Sequence, residues 1–264
     1  MRKPLLDVLF ASEKRKNTLL LLRDGPMEMK AILQFLDTTR QALLPQIRVL
    51  EDSYLVAKSD SDVYELSVIG KMLVGRFRSL LCTLEVLDTD ITYWGEHHID
   101  FIPSHLLNRI CELDDCEVIE PDITEVYELN KDFMEQCLES RSICSVISFY
   151  HPDFASFYSE CLPRGINVSI IISNELYEKV KANETQYKEF MNFLKRDDLE
   201  FYCYPHEMEF VAFSQNDHGF LFRLLTRSHQ YDSKQLVCHG PRSAAWGYEF
   251  FEHIKQQSVP ITDI

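Results

Sequence analysis

No apolar run in this 264-residue chain approaches the ~20 residues of a membrane-spanning helix; the leucine stretch Leu19 to Leu22 ends after four. The N-terminus, Met1-Arg2-Lys3-Pro4-Leu5-Leu6-Asp7, has a basic pair but neither a long apolar segment nor a small-residue cleavage site. It does not read as a signal peptide, and the expectation is a cytoplasmic protein with no membrane association. Glycine (8) and proline (10) are sparse, which argues against long disordered tracts. Eight cysteines are present, yet they form no Cys-X-X-Cys pair and no tight framework. A chain of this length buries a core without covalent staples, so reduced thiols are expected. No internal repeat, Gly-X-Ser-X-Gly element, phosphate-cradling glycine loop or paired-carboxylate motif is present.

Positive charge is also in short supply. The formal net charge is −15, which on its face opposes nucleic-acid binding, because an acidic molecule repels phosphate. The deficit is unevenly spread. Residues 1–88 carry 13 Lys+Arg against 12 Asp+Glu, whereas residues 89–264 carry 14 against 30. Two compartments of different character follow: a nearly neutral domain over 1–88 and an acidic one over 89–264.

The first compartment has the element order of a winged helix. Leu5, Leu6, Leu9 and Phe10 share a helical stripe, and Ser12 is placed to cap a second helix from Glu13 to Arg23. Asp24-Gly25-Pro26 stops it. Met29, Ile32, Leu33 and Leu36 mark a short third helix. Asp37-Thr38-Thr39 breaks that helix and caps the next, Arg40 to Asp52, where Leu43, Ile47 and Leu50 recur at helical spacing. Two helices joined by a short turn make a helix-turn-helix. Tyr54 to Lys58, a turn at Ser59 to Asp62, and Val63 to Leu66 read as a hairpin. Ser67 then caps a long helix whose apolar stripe runs from Ile69 to Leu87.

In such a domain the second helix of the pair enters the major groove. Its exposed candidates here are Thr38, Thr39, Arg40, Gln41, Gln46 and Arg48. Hydroxyls and amides reach phosphates or base edges, and an arginine fork matches guanine. Lys58 on the wing, Lys30 on the preceding helix, and Arg15 or Lys16 are phosphate candidates. Pro45 removes a helical hydrogen bond and is expected to bend the helix or displace its first turn. Asp60 and Asp62 at the wing tip repel phosphate, so a weak wing contact is expected.

These segments together resemble a known group. The matching stretches are Leu19-Leu20-Leu21-Leu22-Arg23-Asp24-Gly25-Pro26, Ala42-Leu43-Leu44-Pro45-Gln46 with Ile47 to Glu51, and Tyr64-Glu65-Leu66-Ser67-Val68-Ile69-Gly70. Further on come Leu84-Glu85-Val86, Asp90 to Trp94, His97 to Pro103, Leu113 to Glu117, and Tyr150-His151-Pro152. Over nearly its whole length the chain resembles the archaeal winged-helix transcription regulators of methanogens, those with the middle domain named for a methanogenesis and filament regulator. The pairing of Ala42 to Gln46 with Tyr93-Trp94 and Ile102-Pro103-Ser104-His105-Leu106 is the specific part; a winged helix alone is common. The resemblance implies DNA binding, a homodimer and a C-terminal sensor domain, and it names no ligand. It also implies that the second domain resembles a phospholipase D fold without catalysis. The acidic wing is where the chain departs from the pattern.

The second compartment alternates strand and helix. Asp88 to Asp100 reads as a polar junction, and Pro103 to Leu113 as a short helix. Strands are expected at Ser145–Tyr150, Val168–Ile172, Leu199–Tyr204, Phe210–Ser214 and Gly219–Leu225. Helices are expected at Asp153–Leu162, Leu176–Lys195 and Ser243–Gln256. Val168 to Ile172 is apolar nearly throughout, as in a parallel strand covered on both faces. The fold class is α/β: an N-terminal winged helix and a C-terminal layered domain with a mixed sheet. Ligands of such sheets bind at the carboxyl ends of strands, which makes Ser148, Tyr150, His151, Ser173 and Asn174 the effector candidates.

Phospholipase D chemistry needs His-X-Lys-X4-Asp. The His-X-Lys here is His253-Ile254-Lys255, Pro260 stands where the aspartate belongs, and the segment reads as a tail. His97, His98, His105, Cys111 and Cys116 cluster in sequence but match no zinc spacing. The expectation is therefore no enzyme, no metal and no cofactor. The reading is a homodimeric transcription regulator of double-stranded DNA with a small-molecule effector. Its rivals are a protein–protein adaptor that uses a winged helix without DNA, and a hydrolase with an unrecognised site.

Overall fold

The computed structural model describes residues 4–59, 62–113, 115–126, 128–184, 187–188, 190 and 199–261. It divides into two compact units, Met1–Cys82 and Thr83–Ile264. The first unit opens with α1 (Leu5–Phe10) and α2 (Glu13–Leu21), and Ser12 Oγ caps α2 by accepting from the Arg15 amide. A short strand β1 (Met27–Glu28) leads into α3 (Met29–Phe35). Asp37, at φ 41°, turns the chain toward α4 (Arg40–Asp52), which Thr39 Oγ1 caps through the Ala42 amide. The hairpin β2 (Val56–Lys58) and β3 (Val63–Leu66) follows, and then α5 (Val68–Asp88). Ser67 Oγ accepts from the Gly70 amide at 3.0 Å, capping α5 as its position in the sequence suggests.

Apolar periodicity builds this unit. Leu19, Ile32, Leu43, Ile47 and Leu50 are wholly buried and meet in one core. Two local details differ from expectation. The first wing strand starts at Val56 rather than Tyr54, because Tyr54 adopts φ 58° in a turn closed by the Leu55 amide on the Leu50 carbonyl. Met27 pairs with Tyr64, so the hairpin is one side of a three-stranded sheet, ordered β1-β3-β2. Helix α4 runs through Pro45 unbroken. The carbonyl that Pro45 leaves unbonded belongs to Gln41, an exposed residue.

In the second unit the supposed polar junction is a helix, α6 (Ile91–Glu96). Asp90 caps it, and it is anchored by two aromatic rings. Tyr93 is fully buried, and the Trp94 indole donates to the Val86 carbonyl at 3.2 Å. The expected helix over Pro103–Leu113 is split into α7 (Ser104–Leu107) and a single 3-10 turn, Ile110–Glu112. The chain continues through β4 (Cys116–Ile119), α8 (Lys131–Leu138), β5 (Ser142–Ile147), α9 (Phe154–Cys161), β6 (Asn167–Ser173) and α10 (Asn174–Ala182). It ends with β7 (Leu199–Tyr204), β8 (Phe210–Asn216), β9 (Gly219–Leu224), β10 (Gln235–His239), α11 (Gly240–Lys255) and β11 (Val259–Pro260). The strands β4, β10 and β11 and the helix α8 have no counterpart in the sequence reading. Of the expected helix Leu176–Lys195, residues 185, 186, 189 and 191–195 lie outside the described residues. His253-Ile254-Lys255 lies inside α11, not in a tail.

The eight strands form one mixed sheet in the order β11-β7-β6-β5-β8-β9-β10-β4. Strands β5, β6 and β7 are parallel neighbours, and the other pairs are antiparallel. Both faces are covered. On one face α11 packs an aromatic cluster of Phe210, Phe213, Phe220, Phe222, Trp246 and Phe250. Gly247 permits that closeness, since a Cβ there would stand 2.8 Å from Phe220 Cδ1. On the other face, residues of α8, α9 and α10 pack over Ile143, Ile147, Ile170 and Ile172.

The expectation of reduced thiols is corrected at one pair. Cys116 and Cys238 are joined in a disulfide. They lie directly opposite in the antiparallel β4–β10 ladder, a proximity that a separation of 122 residues conceals. Cys137 and Cys144 remain buried thiols, and desolvation pushes each up to about 12, which leaves them unreactive at neutral pH. No helix among the described residues is long and apolar enough to cross a membrane.

Phe250 is fully buried and its ring lies within 5.7 Å of Phe210, Phe213 and Phe222, centroid to centroid. Phe250→Ala is expected to lower stability by about 3–5 kcal/mol. Urea unfolding followed by Trp246 fluorescence measures it; a loss below about 1 kcal/mol would show that this cluster does not hold the sheet.

Candidate functional site

The helix α4 divides its residues by physical role. Leu43, Ile47 and Leu50 face the core, and Thr39, Arg40, Gln41 and Arg48 are exposed. Gln41 and Arg48 are seven residues apart, two helical turns, and so share a stripe. Thr38 is half-buried, and Lys30 and Lys58 are exposed. Gln46 is not turned outward. Its Oε1 accepts from Arg15 Nη1 at 2.7 Å. Arg15 itself is buried and donates to the Val8 and Asp7 carbonyls at 2.7 and 2.9 Å, so it ties α1, α2 and α4 together. The sequence reading of Arg15 as a phosphate contact is thereby corrected. Lys16, its alternate, pairs with Glu13 one turn away.

The wing acid has partners. Asp62 Oδ2 receives Arg40 Nη1 at 3.1 Å, and Asp62 Oδ1 receives Lys58 Nζ at 2.7 Å. Asp62 thus joins the wing to the first residue of α4 and engages two of the cationic candidates. It adopts φ 58°, a conformation that aspartate tolerates better than most residues. The hydrogen bonds from Lys58 and Arg40 hold its carboxyl below the ordinary carboxylate range, and Lys58 is raised chiefly by the same bond. Asp60 lies outside the described residues.

The strand-end candidates of the second unit fall at one edge of the sheet. Ile147 and Ile172 are register partners in the parallel β5–β6 pair, which sets Ser148 and Ser173 side by side just beyond them. Ser148 Oγ donates to the Val211 carbonyl at 2.7 Å, and the buried Ser173 Oγ caps α10 by accepting from the Leu176 amide at 3.1 Å. Tyr150 and Asn174 are exposed, and His151 is buried with Nδ1 accepting from the Asp153 amide at 3.1 Å. The two serines therefore have structural duties, and Tyr150 and Asn174 are the open members. His253 lies beside Gln257, and Lys255 is paired with Glu200 at 2.9 Å. Among the described residues no three His, Cys, Asp or Glu side chains converge as a metal site.

A feature that sequence reasoning missed lies beneath α8 and α9. Alternation along the strands directs Arg223 of β9, Ser214 of β8 and Ser145 of β5 to the face these helices cover. They line a cavity of about 40 Å³ with Asn130, Phe133, Phe154, Phe157 and Tyr158. Arg223 is 6% exposed and donates from Nη2 to the Glu128 carbonyl at 3.4 Å. The Tyr158 hydroxyl donates to Ser145 Oγ at 3.0 Å, and Ser145 Oγ lies 3.2 Å from Ser214 Oγ. An arginine within an otherwise apolar strand was the available signal.

A helix-turn-helix with a three-stranded wing, followed by a mixed α/β unit, defines a two-part winged-helix protein. Family models agree with both parts: the N-terminal domain of the methanogenesis regulatory protein FilR1 matches residues 4–85, and its middle domain matches residues 126–257. The chain belongs to the FilR1 family. It is 23% identical over 255 residues to methanogenesis regulatory protein FilR1 of Methanothrix harundinacea (strain 6Ac), which covers 95% of this chain and 56% of that protein. The chain therefore spans little more than half the length of that relative. Among solved structures, the archaeal chromatin protein TrmBL2 aligns over 97% of both chains at 14% identity with a TM-score of 0.43. The phospholipase D family member Nuc from Salmonella typhimurium aligns over 56% of this chain and all of its own at 12% identity and a TM-score of 0.41. At these scores neither neighbour establishes more about the fold than the chain's own strands and helices do.

The clamp on Asp62 makes a pH-dependent prediction. A carboxyl depressed in the fold contributes stability that is present above its ordinary value of about 3.8 and is lost as pH falls through the depressed value. Carboxyl-carbon NMR titration is expected to place Asp62 below that ordinary value, and Lys58→Met is expected to raise it. An Asp62 midpoint unchanged by Lys58→Met would show that the pair does not persist in solution.

Proposed function

We propose that this protein is a DNA-binding transcription regulator that acts as a homodimer, with the first unit reading an operator and the second sensing a small molecule. The observation that carries the reading is the exposed face of α4. Thr39, Arg40, Gln41 and Arg48 present donors from a helix of roughly 20 Å, and Lys58 and Lys30 flank it, in a chain that belongs to a regulator family. Arg40 and Arg48 have the forked geometry that reads guanine, and the lysines suit phosphates. The helix α5 supports the dimer. Met72, Leu80 and Leu84 are 64%, 47% and 41% exposed and, with Ile69, form a stripe along it. Pairing that stripe with a second copy would bury it and set two α4 helices on a two-fold operator, about 34 Å or a multiple apart. An effector would act by binding the DNA-competent and incompetent dimers with different affinity.

Asp62 shapes the expected binding. With Arg40 and Lys58 held by an acid, phosphate must compete with Asp62, so non-specific affinity is low in this reading. A second reading, an adaptor that does not bind DNA, draws on the same clamp. Salt-dependent retention on random DNA separates the two, because phosphate contacts weaken steeply with salt.

In gel-shift titrations on a selected operator, Arg40→Gln is expected to cost about 1–3 kcal/mol of binding. Asp62→Asn is expected to tighten binding to random DNA and to steepen its salt dependence by about one to two phosphate contacts. Unchanged affinity in both variants would remove α4 and the wing from the DNA reading. Light scattering of the full chain is expected to give a dimer at micromolar concentration that Met72→Glu together with Leu80→Glu converts to monomer. A monomeric wild type would refute the role of α5.

A further inference from the structure

The guanidinium of Arg223 is placed where a charge is costly. It is buried beneath α8 and α9, and desolvation holds it below its ordinary value. An arginine stays charged in a protein, so burial of this kind calls for a counter-ion. Among the described residues no carboxylate supplies one. Glu128 offers Arg223 only its backbone carbonyl, and its carboxylate is turned to Lys131 Nζ at 2.9 Å. Of the five N–H donors of the guanidinium, a single nitrogen, Nη2, has an acceptor among the described residues, and that contact is long at 3.4 Å. The remaining donors belong to a side chain that lines a cavity.

The rest of the lining defines what fits. Phe133, Phe154, Phe157 and Met134 make one wall apolar, and the hydroxyls of Ser214, Ser145 and Tyr158 and the Asn130 amide supply neutral polar groups. Among the described residues no second cation lines the space. A single positive charge balances a monoanion, whereas a phosphate dianion would leave excess charge in an apolar site. The guanidinium fork matches the two oxygens of a carboxylate. About 40 Å³ holds roughly three water-sized spheres, which limits the guest to a few heavy atoms.

We propose that this cavity binds a short-chain monocarboxylate of acetate size, with its carboxylate on Arg223 and its methyl group against Phe133, Phe154 and Phe157. The site is distinct from the strand-end residues Ser148, Tyr150, His151, Ser173 and Asn174, and it does not depend on DNA binding. Its ligand would stabilise the face of the sheet that α8 and α9 cover.

The test is calorimetric titration of the full chain, without DNA, using acetate, with chloride and inorganic phosphate as comparison anions at matched ionic strength. Thermal melting runs in parallel. Acetate is expected to bind one site per chain above the chloride background and to raise the melting temperature. Arg223→Met is expected to lose that binding, and Arg223→Lys to weaken it about tenfold, because an ammonium lacks the fork. Arg223→Met without ligand is expected to melt no lower than wild type, since an unpaired buried charge is replaced by an apolar chain of similar length. No binding of acetate, equal binding by Arg223→Met, or phosphate binding as tight as acetate would each overturn the proposal. So would an Arg223→Met variant that fails to fold while Arg223→Lys retains full stability and does not bind, for then the arginine is structural. None of these failures bears on α4 and the operator.

Discussion

The central strands of the eight-stranded sheet have no face turned to water. Strands β5, β6, β8 and β9 are buried almost along their whole length, so each needs helices or loops above and below it. The rest of the second unit answers that need. On one side α11 supplies Trp246 and Phe250 to an aromatic layer with Phe213, Phe220 and Phe222. Quadrupole-matched edge-to-face contacts such as Phe213 with Phe250, 5.0 Å apart, add to the burial. On the other side α8, α9 and α10 cover the isoleucine-rich face. Because neither face is solvated, any polar side chain that alternation turns inward is enclosed, and this is how Arg223, Ser145 and Ser214 come to line a cavity rather than the surface.

The first unit is governed by a different balance. Its core is made by leucine and isoleucine at helical spacing, with the buried Arg15 tying α1, α2 and α4 together through neutral acceptors. Paired charge works at the surface, where Asp62 draws Arg40 and Lys58 together across the wing. Exposed pairs of this kind contribute little to stability. Their consequence is for binding, because the cations that would face a phosphate already have an anion, and a competitor must displace it. In the function proposed above, Asp62 opposes phosphate locally, in addition to the net charge of −15.

Much of the architecture was legible in the residues. The sequence pattern sets α4 at Arg40 to Asp52 and β7 at Leu199 to Tyr204, each with the bounds the structure shows. Ser12, Thr39 and Ser67 were recognised as caps, because capping depends on neighbours three residues away. Where the periodicity was weak the reading failed. Asp88 to Asp100 reads as a polar junction because Tyr93 and Trp94 are embedded among acids and histidines, yet those two rings anchor α6 in the core. Strands β4 and β10 are short, and their apolar character becomes evident only once they pair with each other.

The sequence by itself determined the order of the winged helix, the caps, the burial of Leu43, Ile47 and Leu50, and the α/β class of the second unit. Each rests on spacing within one element or on the succession of elements. Tertiary structure alone decided that Arg15 is a buried tie and that Gln46 is its partner. It also decided that Asp62 holds Arg40 as well as its near neighbour Lys58, that Cys116 meets Cys238, and that Arg223 lines a cavity. Arg15 with Gln46, Arg40 with Asp62 and Cys116 with Cys238 are far apart in the chain. Strand register and helix packing bring them together, and no local pattern encodes that register.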